Sequence, residues 1–180
     1  MQLPIRMFRI VLSLLFAGLL LSGCASTSVP FKADFIGSIH MNPNIKGDPS
    51  PTVVYIYELA SPTTFESGNY FSLTDPDSGV LADDLLGYNE VMLFPGKELS
   101  LEQKLHLSTR YIGFVAAFRD INTAQWRTVV PVKAGSSNKF MVRISKDAIE
   151  VSKKTMDLSF EKADEIKKKI KPDEELKFDF

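Results

Sequence analysis

Residues 99–107 have the sequence LSLEQKLHL, in which leucine occupies nearly every second position. The residues between the leucines include Ser100, Glu102, Lys104 and His106. Successive side chains of a β-strand point to opposite faces of its sheet, so this pattern predicts a strand with one buried and one solvated face. Such strands are typical of antiparallel sheets that cover a core on one side only.

Strand signals recur on both sides of this segment, with turn residues between them. Residues 52–59 (TVVYIYEL) and 110–119 (RYIGFVAAFR) are largely apolar at successive positions, which predicts strands covered on both faces. The other predicted strands are residues 33–41, 91–94, 126–133, 139–145 and 148–153.

Two segments lack this alternation and are predicted to form short helices or helical turns: residues 62–73 (PTTFESGNYFSL) and 80–86 (VLADDLL). Ser61 and Pro62 are suited to cap and begin the first of them. Most predicted elements are strands, and they do not alternate with helices as in βαβ units. The sequence therefore predicts an all-β fold, a two-sheet antiparallel β-sandwich of about eight strands with short added helices.

The composition excludes several classes of function. The chain has 180 residues, of which 44% are hydrophobic, and a formal net charge of −1. Because there is no basic excess, nucleic acid is not expected as a partner. One cysteine and two histidines cannot build a Cys₄ or Cys₂His₂ zinc site.

No arrangement of residues points to catalysis. His40 and His106 have no Cys, Asp or Glu at the spacing of metal ligands, and the sequence holds no nucleophile motif or phosphate-binding loop. We therefore expect a protein that is not an enzyme, with no catalytic residues, no metal and no cofactor.

Residues 1–23 have the features of a secretion signal, with two arginines before an apolar run at residues 10–21. That run is shorter than the roughly 20 residues of a transmembrane helix. The following LSGC motif resembles the lipobox of bacterial lipoproteins. The resemblance implies cleavage before Cys24 and lipidation of Cys24, whereas the alternative is an ordinary secretion signal followed by an incidental cysteine.

These features divide the chain into four parts. Residues 1–23 are the predicted lipoprotein signal peptide, and residues 24–32 form a lipidated tether. Residues 33–153 form the sandwich domain, and residues 154–180 form a charged C-terminal extension. Ala25 follows the cysteine where an aspartate is a common signal for retention at the inner membrane, so the lipobox pattern favours the outer membrane.

Residues 42–51 (NPNIKGDPSP) form the longest early loop, with three prolines and a glycine. Prolines fix φ and reduce the entropy that a loop loses when it becomes ordered. The loop is therefore suited to hold one shape for a partner, although it could equally be a plain surface connection. The residues alone leave both interpretations open.

Four blocks of sequence are similar to the TssJ lipoprotein family of the bacterial type VI secretion system. They are residues 42–59, followed by Phe65, residues 93–96 (LFPG), residues 111–120 (YIGFVAAFRD) and the pair Trp126-Arg127. The similarity covers about residues 33–150, together with the lipobox.

The resemblance implies a transthyretin-like sandwich, lipid-anchored on the periplasmic face of the outer membrane. It also implies docking to the periplasmic domain of TssM, in a membrane complex that contains TssL. In the family, the loop between the first two strands is implicated in contacting TssM. The implied partner-binding residues are Asn42, Pro43, Asn44, Ile45, Lys46, Gly47, Asp48, Pro49, Ser50 and Pro51.

The alternative function is an envelope lipoprotein that binds a small ligand or chaperones an envelope substrate. A pocket lined by polar groups inside the sandwich would favour this alternative. A filled core and an exposed proline-rich loop would favour docking.

Overall fold

Two four-stranded sheets pack face to face in the computed structural model, which describes residues 29–154. This architecture confirms the predicted two-sheet sandwich with short helices. The signal peptide, Cys24 and residues 155–180 of the predicted C-terminal extension lie outside the described residues.

Sheet A has the strand order β4-β1-β7-β8, and sheet B has the order β3-β2-β5-β6. Neighbouring strands are antiparallel except β1 and β7, which run parallel. The strands are β1 (Val29–Gly37), β2 (Thr52–Leu59), β3 (Leu85–Leu93), β4 (Glu98–Leu105), β5 (Tyr111–Ala116), β6 (Arg127–Pro131), β7 (Asn138–Ile144) and β8 (Ile149–Lys153).

Strand β1 begins four residues before the predicted start of the domain at residue 33, so residues 29–32 belong to the sheet and not to the tether. Val29 and Phe31 are buried in the core, and Pro30 lies opposite Lys104 of β4. The strand also ends earlier than predicted, at Gly37, where the chain turns. The strand starts at Val29 because Val29 and Phe31 are apolar and become buried in the core, although the residues around them resemble a tether.

Residues 80–84 form a turn and not a helix, which agrees with the second of the two predicted forms. The Leu85 N–H donates to the Leu81 carbonyl four residues earlier at 2.7 Å, and Leu85 already pairs with Leu59 of β2, so the turn ends before residue 86. Strand β3 is therefore much longer than the predicted strand at residues 91–94. Its polar residues, such as Asn89 and Glu90, lie on an edge strand and obscure the alternation.

Strand β2 is covered on both faces, as its sequence predicted. Val54 and Ile56 face the core between the sheets. Tyr57 and Leu59 point to the other side of sheet B, where they form a second apolar cluster. That cluster is covered by the connection between β2 and β3.

The covering connection contains α1 (Thr63–Ser67), α2 (Tyr70–Thr74) and a 3₁₀ turn (Pro76–Ser78), in agreement with the predicted helical segment at residues 62–73. Phe65 of α1 is buried against β5 at Gly113, where an added Cβ would lie only 2.7 Å from the Phe65 ring. The missing side chain at Gly113 therefore allows the helix to approach the sheet closely.

Arg127 fixes the two helices to strand β6. Its guanidinium Nη1 donates to the Phe65 carbonyl at 3.1 Å and also to the Gly68 carbonyl. The same guanidinium lies 4.9 Å from the ring centroid of half-buried Trp126, whose ring meets Tyr70 edge to face. Arg127 thus satisfies carbonyl groups at the end of α1 that the helix itself leaves without partners.

Glu58 lies near the end of β2 and is buried at the margin of the core. This buried carboxylate accepts hydrogen bonds from the His106 N–H at 2.8 Å, the Thr109 hydroxyl at 3.0 Å and the Gln103 amide at 3.3 Å. These bonds join β2 of sheet B to β4 of sheet A, through Gln103, and to the connection between β4 and β5. A buried carboxylate is tolerated here because its oxygens have donors.

We predict that Phe65→Ala destabilises the domain by about 3–5 kcal/mol, since it removes a large buried side chain and leaves a cavity. Phe65 is 1% exposed, whereas Phe71 of α2 is 70% exposed and provides a matched control. Chemical denaturation of the two variants should show a large loss for Phe65→Ala and a change below about 0.5 kcal/mol for Phe71→Ala. Equal losses would contradict this account of how the helices pack.

Candidate functional site

Four connections meet at the end of the sandwich where β1 stops. They are the β1–β2 loop, the β3–β4 turn, the β5–β6 connection and the β7–β8 turn. The chain enters β1 at the opposite end, at Val29. The predicted partner-binding loop is therefore separated by the length of β1 from the point where the domain begins.

Asn44 organises the tip of the β1–β2 loop. Its side-chain Oδ1 accepts from the N–H groups of Lys46 at 2.8 Å and Asp48 at 3.0 Å, and its Nδ2 donates to the Asp48 carboxylate at 3.1 Å. Its backbone N–H donates to the Asp48 carbonyl at 2.8 Å. Gly47 lies in the turn between them with φ of 87°, a conformation that suits glycine.

Asn42 fixes the base of the same loop. It is buried with φ of 45°, and its side chain donates to the Pro51 carbonyl at 3.1 Å and accepts from the Arg119 N–H at 2.8 Å. Its own N–H donates to the Lys146 carbonyl at 3.1 Å. One residue thus ties both arms of the loop to the β5–β6 and β7–β8 connections. Asparagine tolerates this left-handed backbone better than most residues.

The ten predicted partner-binding residues divide into a buried and an exposed set. Asn42 and Ser50 are buried and shape the loop, while Pro43 and Asn44 are half-buried. The exposed residues are Ile45, Lys46, Gly47, Asp48, Pro49 and Pro51.

Ile45 is fully exposed at the tip, beside the charged side chains of Lys46 and Asp48. An exposed apolar side chain on an ordered turn can serve as the anchor of an interface when a partner covers it. The tip therefore has the composition of a small interface, with an apolar centre and a charged rim.

Two further exposed apolar residues at this end were not predicted. Ile39 is 65% exposed and Phe94, in the β3–β4 turn, is 50% exposed. The two turns touch, since the Gly96 N–H donates to the Gly37 carbonyl at 3.0 Å and a Cβ on Gly96 would lie 3.3 Å from Ile39. No periodic signal marks single turn residues, so these positions could not be found from the sequence.

A groove of about 400 Å³ lies outside the sandwich, between the helical connection and β3. Its lining is mainly apolar and includes Leu73, Leu81 and Leu85. The Tyr57 hydroxyl at its floor donates to the Leu73 carbonyl at 2.6 Å, and burial raises the pKa of Tyr57 above its usual range. Burial, followed by the hydrogen bond to Glu90, raises the pKa of Tyr88 to about 12. Both tyrosines therefore stay neutral at physiological pH.

The part of the chain that the structure describes contains no cluster of His, Cys, Asp and Glu side chains of the kind that binds a metal ion. Within residues 29–154, no three His, Cys, Asp or Glu side chains lie close enough to hold a metal ion. His40 and His106 are both exposed and lie at different ends of the sandwich. The same residues contain no helix long and apolar enough to cross a membrane.

Comparisons with known proteins give a consistent result. The T6SS-SciN family model, described as type VI secretion lipoprotein, VasD, EvfM, TssJ, matches residues 30–147. A search of curated proteins found no significant match.

Solved structures of type VI secretion lipoproteins share the fold. The lipoprotein TssJ1 from Pseudomonas aeruginosa is 31% identical, with a TM-score of 0.68 over 71% of this chain and 98% of its own. Lip from Serratia marcescens, a membrane-bound component of the type VI secretion system, is 21% identical, with a TM-score of 0.65 over 71% and 99%. A chain of a type VI membrane complex is 23% identical, with a TM-score of 0.61 over 69% and 98%. The family match and the identity to TssJ1 establish that this chain belongs to the type VI secretion lipoprotein family, which includes TssJ.

Proposed function

We propose that this chain is a periplasmic lipoprotein of the outer membrane that docks the periplasmic domain of TssM in the type VI secretion membrane complex. In this role it is an anchored interaction module without turnover. TssL belongs to the same complex in the proposal but is not proposed to contact this chain.

The observation on which the proposal depends is the geometry of the β1–β2 loop. Its two asparagines hold the backbone through hydrogen bonds, and they leave Ile45 exposed at the tip. A loop ordered before binding loses little entropy when a partner covers it. An exposed apolar centre with charges around it fits a protein surface better than a small polar ligand.

The choice of TssM is supported by a relative of the same fold. A chain of the structure described as the TssM C-terminal domain from EAEC is 24% identical, with a TM-score of 0.59 over 68% of this chain and 99% of its own. Identity at this level supports the fold, and the transfer of the partner to this chain is our proposal.

The anchor is proposed from the sequence, because Cys24 follows a signal peptide and completes a lipobox. Strand β1 starts five residues later at Val29 and extends for nine residues, about 30 Å at the usual rise of a strand. The β1–β2 loop lies at the far end of that strand. An anchored domain would therefore present the loop away from the membrane, toward a partner that crosses the periplasm.

The ligand-binding alternative is supported by two grooves on the outside of the sandwich, the apolar groove beside β3 and a groove of about 450 Å³ over β1 and β4 lined by Lys32, Asp34 and Ser100. The core between the sheets is filled by buried side chains such as Phe35, Phe114 and Phe140, so the polar-lined internal pocket that this alternative needs is not found among residues 29–154. Both grooves lie outside the sandwich and are open to solvent. Docking is therefore the better supported function.

We predict that Ile45→Asp weakens binding to the TssM periplasmic domain at least tenfold, equivalent to about 1.4 kcal/mol, because it places a charge at the apolar centre. The measurement is a titration of the two purified periplasmic domains. The melting temperature should not change, since Ile45 makes no contact with the core.

Phe71→Asp is the matched control, because Phe71 is also an exposed apolar residue but lies on the helical connection. It should leave the dissociation constant within about twofold of the wild-type value. Loss of binding in Phe71→Asp, with none in Ile45→Asp, would move the interface to the helices and refute the loop proposal.

Loop order should contribute to affinity separately from the contacts. Asn44→Ala removes the acceptor of two backbone N–H groups and the donor to Asp48, so the tip should become mobile without unfolding the domain. We expect a dissociation constant raised by about threefold to tenfold, and faster hydrogen exchange confined to residues 44–48. An unchanged exchange rate in this segment would show that Asn44 does not hold the tip.

Cys24→Ser removes the thiol that accepts the lipid, so the protein should move from the outer-membrane fraction to the soluble periplasm. Fractionation of cells that express each form measures this change. Ser26→Ala, two residues away, should remain in the membrane fraction as wild type does. Retention of the Cys24→Ser protein in that fraction would exclude lipidation of Cys24 as the means of anchoring.

A further inference from the structure

Basic side chains gather on sheet A at the end where β1 begins. On the outer face, Lys104 lies opposite Pro30 in the register of β4 and β1, and Lys139 lies opposite Lys32 in the register of β7 and β1. The Lys154 N–H donates to the Lys139 carbonyl at 2.9 Å, which brings the end of the described chain into the same row.

Two connections add basic residues at this end. Arg110 lies in the β4–β5 connection, where its guanidinium donates to the Leu107 and Thr109 carbonyls. Lys133 lies in the β6–β7 loop, which buried Asn138 orders by donating to the Lys133 carbonyl at 3.0 Å and accepting from the Lys133 N–H at 2.8 Å. The two connections are joined because the Val132 N–H donates to the Arg110 carbonyl at 2.9 Å.

Few acidic residues neutralise this charge. Lys32 pairs with Glu102, and Lys154 lies 2.8 Å from Asp34. The hydrogen bond from Lys154 is the first cause that lowers the pKa of Asp34, so that carboxylate remains charged. At this end, five exposed basic residues form no ion pair with another of residues 29–154, and we call these five the basic surface: Lys104, Arg110, Lys133, Lys139 and Lys153.

Asp34 and Glu102 are paired with lysines on sheet A, and Glu58 is buried. The other acidic residues of this end lie in the β2–β3 connection, which covers the outer side of sheet B, on the other layer of the sandwich. Those in its helices, turns and loops are Glu66, Asp75, Asp77, Asp83 and Asp84. The domain therefore has a net charge near zero, but at the end where β1 begins the positive charge lies on the sheet A side and the negative charge lies on the β2–β3 connection.

The position of the basic surface indicates what it meets. Val29 begins β1 at the same end, only five residues after Cys24, and a fully extended chain of that length spans at most about 18 Å. Leu107, exposed beside Arg110, adds an apolar side chain of the kind that enters a membrane interface. A lipidated Cys24 would thus hold the basic surface close to the headgroups of its own membrane.

We propose that the basic surface binds anionic phospholipid headgroups, so that the domain rests on the membrane with the sheet A side of this end facing the lipid. The proposal rests on the proposed lipidation of Cys24. Basic side chains near an anionic bilayer are attracted over about a Debye length, and a short tether keeps them inside that distance. The contact orients the domain, which a flexible lipid anchor alone does not do.

The test uses the processed chain from position 24 with Cys24→Ser, so that no acyl chain contributes to binding. Its probes are phosphatidylcholine vesicles with or without 30% phosphatidylglycerol, and the readout is cosedimentation. The test variant combines Lys104→Glu, Lys133→Glu and Lys139→Glu. The control combines Lys97→Glu, Arg119→Glu and Lys146→Glu, which are exposed at the opposite end and change the net charge equally.

We expect binding that requires phosphatidylglycerol, falls at least tenfold in 0.5 M salt and falls at least tenfold in the test variant. The control variant should stay within about threefold of wild type, and both variants should melt as wild type does. Equal losses in the two variants, or binding independent of phosphatidylglycerol, would overturn the proposal.

The protein alone, without vesicles, provides a second check. If it associates with itself and only the test variant abolishes this association, the basic surface binds a second copy of the chain, and the lipid proposal is overturned. TssM binding and cell fractionation are measured separately, so these outcomes leave the docking and lipidation proposals intact.

Discussion

Burial of both faces of β2 is the constraint on which the rest of the structure depends. Val54 and Ile56 need the opposing sheet, whereas Tyr57 and Leu59 need a cover on the other side of sheet B. The β2–β3 connection supplies that cover with two short helices, which would be unstable alone because each has only five residues. Their stability comes from packing on sheet B and from the hydrogen bonds that Arg127 donates to the end of α1.

The parts of the fold that the sequence predicted are those with a local signal. Strand β4 alternates cleanly and was found, and β2 was found with its bounds because its residues are β-branched or aromatic on both faces. The start of β1 was missed because Pro30 and the small residues before it look like a tether. Strand β3 was predicted too short because it lies at the edge of sheet B, where its outward side chains are polar or exposed and its periodicity is weak.

The candidate site shows the same division between local and distant information. Prolines and a glycine indicated the loop between the first two strands at residues 42–51. The role of Asn42 could not be recognised, since it acts through Arg119, a residue 77 positions away. The exposure of Phe94 also depends on how two turns meet after folding. A surface that gathers single residues from several connections has no sequence pattern of its own.

The place of β1 within sheet A has a mechanical consequence. The strand lies between β4 and β7 and pairs with β4 from Val29 to Ile36 and with β7 from Phe31 to Gly37. In the proposed arrangement, one end of β1 leads to the membrane anchor and the other leads to the docking loop, so tension between the two membranes would pull along the strand axis. A strand is already close to full extension, so the backbone of β1 carries a pull of this direction directly, while the two ladders hold the rest of the domain to the loaded strand. The domain would therefore resist extension as a rigid link while its two ends are loaded.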